Sequence, residues 1–223
     1  MKKLLVCFLS LVIILTCFSS CDKSSDDMFT AEDGNSYIVV RNDEGRIVIN
    51  DNDKLQVYTL NENGKKQKDD SGNYITEYID FNGQVVIGNT VETAEMKYKL
   101  PSGFVDDFDN SGYFYNENID AEIFFVFYGT DIGLAVEAAE RNCQSLLESY
   151  GSDVFEYTRY TVDIDGVECT AFRQRCVSSE YPDNSCIYYI PFDGGYYIIH
   201  CRVNIENEKR VNFDKFVDTI EFM

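Results

Sequence analysis

The sequence predicts an α+β protein: a small β meander followed by a larger domain of β-hairpins built around one long amphipathic helix. Three observations predict it. Short strand-like runs alternate with Asn/Asp/Gly turns from Tyr37 onward. A single apolar stripe, Ile132, Ala135, Ala139, Cys143, Leu146 and Tyr150, recurs at intervals of three and four. Asp165-Gly166 and Asp193-Gly194-Gly195 then punctuate long runs of strand-forming residues.

Over residues 37–93 no segment carries a helical period. Tyr37–Val40 and Arg46–Ile49 flank Asn42-Asp43-Glu44-Gly45, and Leu55–Leu60 is followed by Asn61-Glu62-Asn63-Gly64. Asn63-Gly64 is a strong two-residue hairpin signal. Tyr74–Phe81 and Gln84–Ile87 extend the meander, which is expected to be a separate small lobe.

Residues 94–223 form the second predicted domain. Met96–Phe104, Gly112–Tyr115 and Ala121–Tyr128 read as strands. Thr130 or Asp131 is placed to cap the helix, which Gly151 ends. Phe155–Val162, Gly166–Val177, Cys186–Phe192 and Tyr196–Val203 are strands again. Phe213, Phe216, Val217 and Ile220 give a short terminal helix, and Thr219–Met223 a final strand.

The Leu-Pro-x-Gly-Phe segment (Leu100–Phe104), the long helix, the hairpin at Ile164-Asp165-Gly166 and the close on Thr219-Ile220-Glu221-Phe222 together resemble the PsbP-like fold. That fold is shared by photosystem accessory proteins, a Ran-binding transport factor and many bacterial lipoproteins. The resemblance covers about residues 94–223 and implies an antiparallel sheet sandwiched by helices. It carries no shared catalytic residues, so it implies no catalytic site and no cofactor.

The first twenty residues carry an address. Met1-Lys2-Lys3 is a basic start, Leu4–Phe18 is apolar apart from Ser10 and Thr16, and Ser19-Ser20 precede Cys21. That order is a secretory leader, and the apolar run is too short for a permanent span. A cysteine directly after two small residues resembles the bacterial lipobox. The resemblance implies cleavage before Cys21 and diacylation of its thiol, with Phe18 standing where Leu is usual. Two acyl chains anchor stably where one is marginal. In a Gram-negative cell, Asp22 in the next position would imply inner-membrane retention; in a Gram-positive cell it has no such meaning. Residues 21–36 are polar and acidic and read as a solvated tether.

Charge narrows the partners. The chain has 39 Asp and Glu against 19 Lys and Arg, a net −20, and removal of a leader holding Lys2 and Lys3 leaves it more acidic still. Such a chain repels phosphate backbones, so nucleic acid is excluded as a partner.

Candidate chemistry is sparse. Asp107, Asp109, Ser111 and Gly112 match the first half of a calcium loop, with the Tyr113 carbonyl in place, but Asn118 stands where a bidentate Glu is needed. A polar turn between strands is the simpler reading, and no metal ligand is assigned. Past Cys21 come Cys143, Cys169, Cys176, Cys186 and Cys201, an odd number. If Asp193-Gly194 is a two-residue loop, Cys186 faces Cys201 in a hydrogen-bonded pair, whose separation suits a disulfide although its side-chain directions are less favourable; Cys176 beside Cys186 is the alternative pairing. Cys143, on the helical stripe, reads as a small buried hydrophobe.

The single histidine, His200, lies next to Cys201 on a strand, so the two point to opposite faces and cannot act as base and nucleophile together. Tyr188-Tyr189 and Tyr196-Tyr197 on facing strands suggest a glycan platform, but alternation is expected to put one of each pair in the core and one outside. The resulting expectation is a non-catalytic surface lipoprotein contacting a protein partner at the outer face of a bacterial membrane. A receptor for Ca²⁺ or a glycan is the second class, and a hydrolase using His200 the third.

Overall fold

The computed structural model describes residues 27–31, 33–107, 110–178, 180 and 182–223. The described chain divides into two compact units, the first ending at Asp80 and the second beginning at Phe81. The leader, Cys21 and the first residues of the expected tether lie outside the described residues, as does Asp109 of the partial calcium-loop pattern.

The first unit is an antiparallel sheet of four strands in sequence order: β1 (Met28–Thr30), β2 (Ser36–Val39), β3 (Leu55–Tyr58) and β4 (Thr76–Ile79). Strand β1 falls within the expected tether, because Phe29 buries its ring against this sheet's core as Met28–Thr30 pairs with Ser36–Ile38. The turns share one construction. Asn42, Asn50, Asn61 and Asp69 each accept, through side-chain Oδ1, the backbone N–H groups two and four residues on. The residue three after each of them (Gly45, Asp53, Gly64, Gly72) has positive φ. These are three-residue loops with a left-handed last residue, so the Asn61–Lys65 hairpin is not the two-residue Asn63-Gly64 turn expected.

The second unit starts earlier than residue 94. Strands β5 (Val85–Ile87) and β6 (Thr90–Glu92) form a hairpin that pairs with β7 (Met96–Lys99), and β7 in turn pairs with the terminal β15 (Glu221–Phe222). Residues 81–93 therefore belong with the C-terminal domain. Its main sheet has seven antiparallel strands in the order β11-β12-β13-β14-β10-β9-β8. These are β8 (Val105–Asp106), β9 (Tyr113–Asn116), β10 (Ala121–Tyr128), β11 (Phe155–Ile164), β12 (Val167–Val177), β13 (Pro182–Phe192) and β14 (Gly195–Asn204).

Helix α1 (Ile132–Tyr150) begins at Asp131, whose side chain accepts from the Gly133 N–H at 2.7 Å, and ends at Gly151 with φ 80°. It covers one face of the main sheet through Val136 and Cys143, against Phe172, Tyr189 and Tyr196. Among the described residues, no helical layer covers the opposite face. The small sheet β15-β7-β6-β5 lies there, with helix α2 (Phe213–Val217) contributing Phe213, Phe216 and Val217 to the core. The fold is thus α+β with antiparallel sheets, and the layer opposite α1 is mostly sheet because its C-terminal helix is only five residues long. No helix among the described residues is long and apolar enough to cross a membrane.

Coverage on both faces also overturns the tyrosine reading. Tyr188 meets the layer of the small sheet and Tyr189 meets α1, so both are buried, and Tyr196 is buried as well. Alternation along a strand separates the two faces, but here each face is interior.

Candidate functional site

A groove opens in the second unit where the chain leaves β14. Past a 3-10 helix (Ile205–Arg210), Asn212 caps α2 by accepting the Lys215 N–H at 3.1 Å. The opposite wall is the Leu100–Phe104 turn. The Lys99 N–H donates to Thr219 Oγ1 at 2.9 Å, fixing the end of β7 to the end of α2. Between these walls is a volume of about 370 Å³, with Leu100, Phe104, Ile119 and Phe216 supplying apolar lining. A side branch of about 430 Å³ shares Ser102, Ile119 and Arg210. A second groove, of about 420 Å³, adjoins it across Val211 and Asn212 and has Arg173, Cys186 and Asp214 along its lining.

Its charge sets this place apart. Lys99, Arg210 and Lys215 line the first groove and no carboxylate does. Six cations of the second unit, Lys97, Arg141, Arg159, Arg173, Arg175 and Arg202, each lie within 4 Å of a carboxylate. Lys99, Lys209, Arg210 and Lys215 make no such pair among the described residues, and all four line these grooves and are exposed. The Arg210 guanidinium is oriented by donating to the Asn118 carbonyl and to Asn207 Oδ1. In a chain with about twice as many acids as bases, a group of cations without counter-charge is a local inversion of the molecule's field. Sequence reading did not find it, because Lys99 is far along the chain from Lys209, Arg210 and Lys215 and only the end of β7 brings it to them.

The second groove is electrostatically closed by comparison. Arg173 Nη2 donates to both Asp214 oxygens, at 2.8 and 2.7 Å, and the Tyr188 hydroxyl reaches Asp214 Oδ1 at 3.4 Å. Contact with the Cys186 thiol, and then with Asp214, raises the Arg173 pKa above its ordinary value, so the guanidinium stays charged.

The residues singled out in the sequence fall elsewhere or apart. His200 lies between Phe124 and Ile187 in the sheet register and meets the Phe124 ring edge-on at 4.8 Å. Burial lowers its pKa, so it is neutral near pH 7, and no carboxylate or thiol hydrogen-bonds to it among the described residues. Cys201 is on the opposite face, in the core. In the Asp107–Tyr113 turn, where the calcium-loop pattern falls, the Tyr113 carbonyl accepts the Asp107 N–H at 3.0 Å, and Asp107 Oδ2 accepts from the Asn110 side chain at 2.7 Å. Among the described residues no three His, Cys, Asp or Glu side chains gather as a metal site would require.

All five described cysteines are thiols. Cys186 faces Cys201, as the hairpin arithmetic expects, whereas Cys176 faces Asp183 and Cys186 faces Arg173 across β12–β13. The alternation of the strands then puts Cys176 and Cys186 on opposite faces of the sheet, which removes their pairing. Cys143 is fully buried on the inner face of α1, with Gln174 Nε2 donating to its sulfur at 3.4 Å.

One titrating group lies away from the grooves. Burial pushes the Asp183 carboxyl up to about 6, and its Oδ1 is buried without a hydrogen-bond partner. The unfolded value is about 3.9. A raised folded pKa means the folded state holds the extra proton between those values. Stability from this group is therefore full below about pH 4 and falls as pH rises through about 6. Asp183→Asn is expected to stabilise the protein by ~1 kcal/mol at pH 7.5, after allowance for solvent screening, and to do nothing at pH 3.5. Thermal melts at the two pH values check this.

No protein-family model matches the chain, and no curated protein matches it.

Proposed function

We propose that the chain is a lipid-anchored, non-catalytic binding module, held through acylated Cys21 at the outer face of a bacterial membrane, whose first groove takes an acidic segment of a protein partner. The observation that carries this reading is the set Lys99, Arg210 and Lys215 around an apolar lining with no carboxylate among them. Exposed cations kept close together without counter-charge repel one another, and an anionic group entering between them relieves that repulsion. The lining adds apolar burial at roughly 25 cal/mol per Å².

The surrounding surface favours a narrow occupant. At physiological ionic strength charges are screened over about 8 Å, so the groove attracts at short range while the rest of the chain repels acids. A single extended peptide segment can satisfy both conditions; a duplex or an anionic bilayer presents too broad a negative face. The resemblance of residues 94–223 to PsbP-like domains, which implies an accessory role, supports the same reading, as does the leader that ends at Ser19-Ser20, directly before Cys21.

Two measurements test the proposal. Intact mass of protein extracted from native membranes is expected to begin at Cys21 with added diacylglyceryl mass; protein released without lipid contradicts the anchor. Native electrophoresis of solubilised membranes is expected to show the chain in a larger complex, which Lys99→Glu with Lys215→Glu weakens at least about tenfold, since like charges across an interface cost several kcal/mol. A complex indifferent to both the reversal and added salt contradicts the groove as its site.

A further inference from the structure

We infer that Cys186 and Cys201 form a redox-active dithiol at the floor of the second groove, and that its oxidant is a low-molecular-weight disulfide. The two residues are direct partners in the β13–β14 register and lie in the same core cluster, so both side chains leave the same face of the sheet. Counted outward from the Phe192↔Gly195 pair that closes the hairpin, they form a hydrogen-bonded pair, whose Cα separation of about 5.5 Å is inside the span a disulfide accepts. Their access differs. Both are buried, but Cys186, with 4% exposure, lines the groove of about 420 Å³, whereas Cys201 has 0% exposure and lines none of the grooves described. Arg173, the β12 partner of Cys186, lies against its thiol.

The other cysteines lack this combination. Cys143 and Cys176 are on the α1 side of the sheet. Cys169 shares the core cluster but donates its S–H to the Val167 carbonyl at 3.2 Å, and burial pushes its thiol up to about 11.

The exchange runs in two balanced steps. The Cys186 thiolate attacks one sulfur of the incoming disulfide; that S–S bond breaks, and one small thiolate leaves and takes up a proton. Cys201 then gives up its proton and attacks the Cys186 sulfur, expelling the second small thiol. Two protein thiols are oxidised to one disulfide, and the small disulfide is reduced to two thiols. Full burial raises the Cys201 pKa well above its usual value, so the second step is the slower one and quickens with pH. The proposal does not depend on what occupies the first groove.

The experiment treats the purified chain with oxidised glutathione at pH 7 and pH 9, alkylates the remaining thiols, and reads intact mass and peptide maps. The wild-type chain is expected to lose two alkylatable thiols, both mapped to the Cys186–Cys201 pair, through a transient glutathione adduct on Cys186 that persists longer at pH 7. Cys201→Ser is expected to stop at that adduct, and Cys186→Ser to form no disulfide at Cys201. Retention of every thiol in the wild-type chain overturns the proposal. So does oxidation that maps to Cys176 in place of the pair. The wild-type peptide map decides the matter even if either variant fails to fold.

Discussion

Gly195→Ala is expected to lower stability by about 3 kcal/mol or more, because a methyl group there has no space to enter. A Cβ built on Gly195 falls 2.1 Å from the Tyr128 carbonyl oxygen, 2.9 Å from its carbon and 3.0 Å from Gly129 Cα. All three obstacles are backbone, so no side chain can swing aside. Relief requires β14 to move from β10, and these are two central strands of the main sheet, paired along eight residues from Ala121↔Val203 to Tyr128↔Tyr196. The neighbouring Gly194→Ala makes the control. Its Cβ meets nothing within 4 Å, but φ is +77°, so its cost is only the roughly 1–2 kcal/mol of left-handed strain. Urea unfolding of both variants measures the difference. Equal midpoints would mean that β10 and β14 approach less closely at this end.

Tyr98→Ala is expected to cost about 3–5 kcal/mol, the range for removing a large buried aromatic ring. Tyr98 has 1% exposure and stacks on Phe125 with ring centroids 4.5 Å apart. Phe114 and Phe216 both meet it edge-on at 6.0 Å. One ring on β7 thus contacts β9, β10 and α2 at once, joining the small sheet to the main sheet and to the helix beside the groove. Tyr78→Ala, at an exposed position on β4, is expected to change stability by no more than about 0.5 kcal/mol. Denaturant midpoints for the two variants check the contrast.

What was legible in the sequence was local. Helix α1 is bounded where Asp131 and Gly151 predict, because a cap and a left-handed stop act through neighbours a few residues away. The Cys186–Cys201 register follows from counting outward from Asp193-Gly194, since a two-residue loop leaves no freedom in pairing. The Asn61 turn is one residue longer than the Asn63-Gly64 signal predicts, because Asn61 Oδ1 accepts the Lys65 N–H and so favours a three-residue loop.

Features made by distant segments were not legible. The boundary at Asp80 depends on the β5–β6 hairpin pairing with β7 through β6. The burial of both Tyr188 and Tyr189 depends on two layers from distant segments, the small sheet on one face and α1 on the other. The candidate groove is the clearest case. Lys209, Arg210 and Lys215 read in sequence as an ordinary solvated stretch, and they become a site only when Lys99 and the Leu100–Phe104 turn form the other wall.

The central claim, that the Lys99–Arg210–Lys215 groove is where a partner binds, is tested most directly by site-specific photo-crosslinking in intact cells. A photoreactive amino acid is placed at Ser102 on the groove wall, and in a separate variant at Leu134, an exposed position on α1. The account predicts a discrete adduct from position 102 that disappears when Lys99→Glu and Lys215→Glu are added, and none from position 134. Adducts from position 134 alone, or an adduct at 102 that survives the charge reversal, would contradict it.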